Sequence, residues 1–280
     1  MIILNGLTPD IFLKYDLFLF DVSGTIIDGN VDLLKIEKFI HSLSKENKKV
    51  VLFSNSSSTS SSLRAKLLNK GLYFIKNLEI FTSGDYFLEL FHSNELPCFI
   101  GRRPCLSYIG LDTEPKIFGN LNCSQYSIKY SDAVIATEMF DKDLYNSFFK
   151  KCIEQLVEFR IPMICINPDM RAPVKDKNLG PGYLAIKYKE MGGKVIYIGK
   201  PSYDIFDWVY NCINKQFKFK KLNIVMIGDN INTDILGASQ FGISSILVLT
   251  GITEKINFTE TDIFPTYCVE NLEIMYGPGL

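Results

Sequence analysis

Asp21 stands directly after the apolar run Leu17-Phe18-Leu19-Phe20 and opens the stretch Asp21-Val22-Ser23-Gly24-Thr25. Far downstream, Ile224-Val225-Met226-Ile227 leads into Gly228-Asp229-Asn230-Ile231-Asn232-Thr233-Asp234. Each run has the length and composition of a buried strand. Asp21, Asp229 and Asp234 are therefore expected at strand carboxyl ends, where open α/β sheets bind ligands. Three carboxylates gathered there make an all-oxygen donor set suited to a hard divalent cation. A cation beside an ionised Asp is the setting for attack on phosphorus. Two more apolar runs end in chemistry-bearing groups, Ser54-Asn55 after residues 50–53 and Lys200 after residues 195–198 and Gly199. A single Asp, Ser or Lys after a strand is commonplace. Four such groups, each directly after an apolar run, form a pattern.

The elements that must position these groups follow from periodicity. Five apolar runs, at residues 17–20, 50–53, 195–198, 224–227 and 246–249, predict parallel strands covered on both faces. Leu33, Leu34, Ile36, Phe39, Ile40 and Leu43 repeat at helix spacing. Leu63, Leu67 and Leu68 do the same, and Gly71 predicts the end of that helix. Pro201 predicts the first turn of a helix carrying Ile205, Phe206, Val209 and Ile213, and another helix starts near Asp234 and ends before Gly242. The alternation predicts an α/β fold with a doubly wound, Rossmann-like parallel-sheet core.

The interval between the second and third runs is too long for one crossover. It contains strand candidates at 98–100, 133–136 and 163–166 and a helix candidate at 144–159. A second α/β domain, residues 82–180, is thus expected as an insert in a discontinuous core of residues 1–81 and 181–280. The serine-rich stretch from Ser54 to Ser62 lies between a strand pattern and a helix pattern. It is expected to cap the helix and hold an anion, not to act as a linker.

The 280 residues are 47% apolar and 22% charged with a formal charge of −1, an ordinary composition for a soluble protein. No nucleic-acid or anionic-membrane surface is expected. The seven cysteines form no CxxC pair and are odd in number, which argues against a disulfide framework. With only His41 and His92 in the chain, a zinc site is not expected either, and His41 is expected on the surface. No basic and apolar leader pattern opens the chain and no apolar run approaches spanning length, so a cytoplasmic location is expected. Asn122-Cys123-Ser124 and Asn257-Phe258-Thr259 match glycosylation sequons and carry no meaning at that location.

In its motifs the chain resembles the haloacid dehalogenase-like hydrolase superfamily. Asp21-Val22-Ser23-Gly24-Thr25 is similar to the family's first motif, Leu52-Phe53-Ser54-Asn55 to the second, Gly199-Lys200-Pro201 to the third, and Gly228-Asp229-Asn230 with Thr233-Asp234 to the fourth. The resemblance is closest to the branch with a large C2-type α/β cap between the second and third motifs, which includes nucleotide-monophosphate, phosphoglycolate and 4-nitrophenyl phosphatases. Asn167-Pro168-Asp169 and Gly180-Pro181-Gly182 are similar to that branch as well.

The resemblance implies a phosphatase of a small phosphorylated metabolite. Asp21 would be the nucleophile that becomes an aspartyl phosphate. Mg2+ would be held by Asp21, Asp229, Asp234 and the backbone carbonyl of Ser23. Ser54, Asn55 and Lys200 would bind phosphate, and Lys200 would also carry catalytic charge. Asn167 and Asp169 would lie near the cap–core interface, where direct substrate contact and a plain turn after a strand are both open readings, and the cap is the candidate surface for a homodimer. Arg102, Arg103 and Arg171 are candidates for a second anionic group of the substrate, although loop arginines are usually solvated.

The departure is Ser23, which stands where active relatives carry the Asp that protonates the leaving group and deprotonates water. A serine hydroxyl is too weak an acid for either task. General acid–base catalysis is worth roughly 10²–10⁴-fold, a small part of the acceleration of about 10²¹ known for phosphate monoesters. A slow enzyme selective for good leaving groups is therefore expected, and the alternative is a catalytically silent protein that binds a phosphometabolite or a protein partner. Asp28 is the nearest carboxylate that could stand in. Gly180-Pro181-Gly182-Tyr183-Leu184-Ala185 also fits a dinucleotide fingerprint, but no strand pattern precedes it.

Overall fold

The computed structural model describes residues 3–4, 6–109, 123–125, 128–137, 140–171, 179–253 and 262–273. Asn122 of the first sequon and the whole of the second lie outside them. In chain order the strands are β1 Ile3–Leu4, β2 Leu17–Phe20, β3 Lys49–Ser54, β4 Glu79–Thr82, β5 Leu106–Ile109, β6 Cys123–Gln125, β7 Ala133–Ala136, β8 Met163–Cys165, β9 Val195–Tyr197, β10 Ile224–Gly228, β11 Ser244–Val248 and β12 Tyr267–Val269. The helices are α1 Pro9–Leu13, α2 Leu33–Lys45, α3 Ser60–Asn69, α4 Ser83–His92, α5 Lys142–Leu144, α6 Lys150–Phe159, α7 Pro181–Glu190, α8 Tyr203–Asn214 and α9 Leu236–Phe241. A wide turn, Tyr145–Phe149, joins α5 to α6.

Two sheets form, one in each of two compact units. The first unit comprises residues 1–54, 67–81 and 201–280, and the second residues 55–66 and 82–200. The seven-stranded sheet has the order β1-β12-β11-β10-β2-β3-β4. Its central pairs, β11 with β10, β10 with β2 and β2 with β3, are parallel. Every residue of β2 and β10 is buried, as an apolar run covered on both faces requires.

Helix α2 begins where the Asp32 side chain accepts hydrogen bonds from the amides of Leu34 and Lys35 at 3.0 and 3.3 Å. It buries Ile36, Phe39, Ile40 and Leu43, each worth roughly 1.5–3 kcal/mol. Leu33 and Leu34 match the period by letter but are 42% and 68% exposed, at the first two positions of the helix. Helix α3 ends as expected before Gly71, whose φ of +85° and whose amide bond to the Leu68 carbonyl (2.9 Å) close the helix. Pro201 sits one residue before the N-cap Ser202 of α8, not in its first turn.

The second sheet has the order β6-β5-β7-β8-β9 and is parallel throughout. It corrects two expectations. The run at 195–198 was expected in the core sheet, yet β9 pairs with β8 as the edge of the second sheet. Its half-open pattern shows why: Ile196 is buried while Tyr197 is 37% exposed. Helix α7 accompanies it, packing Leu184, Ala185 and Tyr188 against Ile153, Leu156 and Met163. The second unit therefore extends to Lys200 and does not close at 180. Residues 98–100, expected as a strand, form a turn with Cys98 at φ +71°, and the strand of that region is β5.

Six described cysteines are free thiols. Cys98 and Cys105 are exposed, whereas burial pushes the Cys152 and Cys268 thiols up to about 11 and the Cys165 thiol further still. The thiolate is the reactive form. Alkylation of the native protein at pH 8 should label Cys98 and Cys105 and spare Cys152, Cys165 and Cys268 until denaturant is added, as peptide mapping by mass spectrometry would show. No helix among the described residues is long and apolar enough to cross a membrane. His41 is exposed, as expected.

Candidate active site

The register of the first sheet brings its chemistry together. Phe20 pairs with Ile227 on β10 and with Leu52 on β3. Asp21, Asp229 and Ser54 thus leave three neighbouring strands at the same end. The Asp21 amide donates to the Ile227 carbonyl at 2.8 Å and extends the ladder by one residue. Asp234 returns to this end on the turn Ile231–Ile235, where its carboxylate accepts from the Asn230 amide at 3.1 Å.

One carboxylate oxygen from each of Asp21, Asp229 and Asp234 lies within 4.8 Å of the others, and all three residues are buried. At an effective dielectric near 20, two unit charges this close repel by roughly 3–4 kcal/mol. Such an arrangement of oxygens fits a hard divalent cation, which offsets that repulsion.

The backbone around the cluster is shaped to one residue, Asp229. A Cβ on Gly24 would lie 2.2 Å from Asp229 Oδ2, and one on Gly251 would lie 2.0 Å from it. Gly24 has φ +88°, so its lack of a side chain serves both the turn and the contact. The Ile252 amide donates to Asp229 Oδ2 at 2.5 Å, and the Thr250 hydroxyl donates to the Gly24 carbonyl at 2.6 Å. The segment after β11 is therefore part of the site, and the sequence reading missed it. A signal was present: Thr250-Gly251 directly follows the apolar run ending at Leu249. Gly251→Ala would press a methyl group into the carboxylate and should cost about 1–3 kcal/mol of stability. A urea melt compared with the parent protein checks this.

Ser23 lies in the tight loop after β2. The Gly24 amide bonds the Ile27 carbonyl at 2.5 Å, and the Ile26 amide bonds the Val22 carbonyl at 2.8 Å. Its side chain is partly exposed. The Asp28 carboxylate is engaged elsewhere in the same unit, accepting from Lys70 Nζ at 2.9 Å.

The remaining expected site residues fall in the second unit. Asn55 and Lys200 are 2% and 1% exposed. Asn55 Oδ1 accepts from the Lys200 amide at 2.7 Å, and Asn55 Nδ2 donates to the Lys200 carbonyl at 3.1 Å and to Asp169 Oδ1 at 3.3 Å. Asn167 uses its side chain to accept from the Asp169 amide at 3.0 Å, a turn contact that orients Asp169. The serine-rich stretch is ordered, with Ser57 Oγ donating to the Thr137 carbonyl at 3.3 Å and the Thr59 hydroxyl accepting from the Ser62 amide at 3.3 Å. The first amide of α3, on Ser60, is already taken by Asp85 at 2.9 Å.

The three candidate arginines do not converge. Arg102 pairs with Asp132 at 3.2 Å, which holds the Asp132 carboxyl below its usual range. Arg103 stacks on Phe91, and Arg171 is exposed. The dinucleotide fingerprint is filled by protein. A Cβ on Gly180 or Gly182 would lie 2.0 or 2.1 Å from the backbone oxygen of Asp169 or Pro168. Those glycines let the start of α7 lie against the Asn167-Pro168-Asp169 turn.

Two family models match the chain. The haloacid dehalogenase-like hydrolase model covers residues 18–109, and the HAD-hydrolase-like model covers residues 197–274. Between them the matched segments contain Asp21, Ser54, Asn55, Lys200, Asp229 and Asp234. The chain is similar to the 4-nitrophenylphosphatase of Schizosaccharomyces pombe, 25% identical over 281 residues and 92% of each chain. Among solved structures it is similar to a 4-nitrophenylphosphatase from Thermotoga maritima, 26% identical with a TM-score of 0.68 over 93% of this chain and 96% of that one. A haloacid dehalogenase-like family hydrolase from Brucella suis 1330 shares the fold, with a TM-score of 0.81 over 96% of this chain and 100% of that one at 21% identity.

Proposed function

Because the chain belongs to the haloacid dehalogenase-like hydrolases, we propose that it is a magnesium-dependent phosphatase of a small phosphorylated metabolite, working through Asp21. The observation that carries this reading is the buried Asp21–Asp229–Asp234 cluster at the carboxyl ends of adjacent strands. The first unit is assigned as the catalytic core and the second as a C2-type cap. The activity for which the Schizosaccharomyces pombe relative is named, 4-nitrophenylphosphatase, is of the same chemistry, and that relative aligns over 92% of each chain.

Asp21, Asp229 and Asp234, with the Ser23 carbonyl, would hold Mg2+, which when bound neutralises charge on the carboxylates and on the substrate phosphate. An oxygen of Asp21 attacks phosphorus, the bond from phosphorus to the ester oxygen breaks, and an aspartyl phosphate forms. Water then attacks that phosphorus, the bond from phosphorus to the Asp21 oxygen breaks, and Asp21 returns as a carboxylate, with water's proton passing to solvent or to the released inorganic phosphate. The Ser54 hydroxyl donates to a phosphoryl oxygen, and Lys200 supplies positive charge as negative charge builds on the group. Ser23 neither gives the leaving oxygen a proton nor takes one from water. The reading therefore restricts fast turnover to substrates whose leaving groups depart without a proton, such as aryl or acyl phosphates.

The test is phosphate release from 4-nitrophenyl phosphate and from an alkyl phosphate, with Mg2+ and with EDTA. Turnover that needs Mg2+ and is at least about tenfold faster on the aryl ester is expected. Turnover unaffected by EDTA would overturn the metal assignment, and equal rates on both esters would overturn the leaving-group restriction. Ser23 itself favours a second reading, a catalytically silent protein that binds a phosphometabolite or a protein partner. Under that reading Mg2+ and inorganic phosphate raise Tm while no ester is cleaved.

A further inference from the structure

Asn55 carries an expectation of phosphate binding, and its hydrogen bonds assign it another task. We propose that Asn55 is a positioning residue, whose carboxamide grips the peptide of Lys200 and so aims the Lys200 side chain, and that it is not itself a ligand of the phosphoryl group. The proposal rests on the phosphatase reading for what Lys200 does once aimed.

A carboxamide has two donor hydrogens and two acceptor lone pairs. All four are occupied. Oδ1 accepts from the Lys200 amide at 2.7 Å and from Ser83 Oγ at 3.2 Å. Nδ2 donates to the Lys200 carbonyl at 3.1 Å and to Asp169 Oδ1 at 3.3 Å. Nothing remains for a phosphate oxygen. The two bonds to Lys200 take both polar groups of one residue's backbone, as a neighbouring strand would. They begin where the β8–β9 ladder ends, with the Ile198 amide bonded to the Cys165 carbonyl at 2.9 Å. Asn55 thus stands in for a neighbouring strand at Lys200, three residues past the end of β9.

The neighbours show that this grip is built. Gly199 has φ +136°, and a Cβ there would lie 2.7 Å from Ser83 Oγ, 2.7 Å from Pro168 Cδ and 2.9 Å from Asn55 Oδ1. Only glycine lets the chain come this close. A carboxylate accepts and cannot donate, so Asp169 fixes which end of the Asn55 amide faces it. Asp169 is oriented in turn by the Asn167 side chain, which accepts from its amide at 3.0 Å. The Asn-Pro-Asp turn is thereby connected to Lys200 through Asn55, and a positioning role accounts for Asn167 and Asp169 without substrate contact.

Two measurements on the full chain test this, amide hydrogen exchange at Lys200 and steady-state turnover of an aryl phosphate. Asn55→Ala should raise exchange at the Lys200 amide at least about tenfold, the equivalent of losing one hydrogen bond. It should lower kcat by about 10–100-fold with KM changed by less than about threefold. In a Lys200→Met background the same change should add less than about twofold, because residues acting as a unit are not additive. Asn55→Asp keeps the shape but loses both donors and sets a carboxylate against Asp169. It should be as damaging as Asn55→Ala, and adding Asp169→Asn should recover part of kcat by returning a donor. If Asn55→Ala fails to fold, Ser83→Ala removes one of the four bonds and should shift exchange and kcat in the same direction by less. Unchanged exchange at Lys200, or effects of Asn55→Ala and Lys200→Met that multiply, would overturn the proposal. Absence of turnover in the native protein would overturn the phosphatase reading alone, and exchange would still decide the grip.

Discussion

Asp21→Asn is expected to lower kcat on an aryl phosphate by about 10⁴–10⁶-fold, the scale on which enzymes lose activity with their nucleophile. The amide is isosteric, and a bond that helps anchor this position runs from the backbone amide of Asp21 to the Ile227 carbonyl and is kept in the variant. The fold should therefore survive. The same substitution removes one of three buried carboxylates whose oxygens lie within 4.8 Å of one another. Without metal the variant should melt no lower than the parent, because repulsion inside the cluster falls. With Mg2+ its gain in Tm should be smaller than the parent's, because a ligand and a charge are gone. Thermal melts with Mg2+ and with EDTA, beside single-turnover kinetics, separate the two effects. Retention of more than about 1% of kcat would remove Asp21 as the nucleophile.

Ser23→Asp carries the second large effect, and its sign is a gain. On the phosphatase reading, a carboxyl group at this position would supply an acid for the leaving oxygen and a base for water. The expected increase in kcat/KM is about 10²–10⁴-fold, or roughly 3–5 kcal/mol of barrier. It should be greatest on alkyl phosphates, whose leaving groups need the proton most, and smallest on aryl phosphates. The loop should tolerate the change, because it is closed by backbone bonds from Gly24 to Ile27 and from Ile26 to Val22, and Ser23 is a partly exposed residue. The native protein should hold more aspartyl phosphate during turnover than the variant, since water attack on the intermediate lacks its base. Acid quenching with labelled substrate measures that pool. An unchanged rate on alkyl phosphates would mean that another group already supplies the proton. The ion pair of Asp28 with Lys70 makes Asp28 a poor candidate for it.

The two substitutions divide the readings cleanly. A silent native protein that gains turnover with Ser23→Asp keeps an intact phosphoryl-transfer scaffold and has lost only its acid. A protein silent in both forms whose Tm rises with Mg2+ and inorganic phosphate supports the binding reading.

The sequence by itself determined the three carboxylates and the strands that carry two of them. Residues 17–20 and 224–227 are continuous apolar runs, and such runs are buried on both faces wherever they pack, so Asp21 and Asp229 could be placed at strand ends without knowing the neighbours. Helix α2 was legible for the same reason, through the period of Ile36, Phe39, Ile40 and Leu43. Only the tertiary structure decided which sheet each strand joined. Residues 195–198 look like the other runs, and their pairing with β8 depends on a partner thirty-odd residues away that periodicity does not name (Met163 with Val195). Only the tertiary structure showed that Gly24 and Gly251 clasp Asp229, because a glycine's reason lies in the atom opposite it. Asn55 illustrates the limit most directly. Its type and place after a strand suggest a ligand of phosphate, but its four hydrogen bonds go to Ser83, Asp169 and Lys200, the last 145 positions away. Local patterning encodes which faces are buried, and only the closed chain sets which polar groups meet.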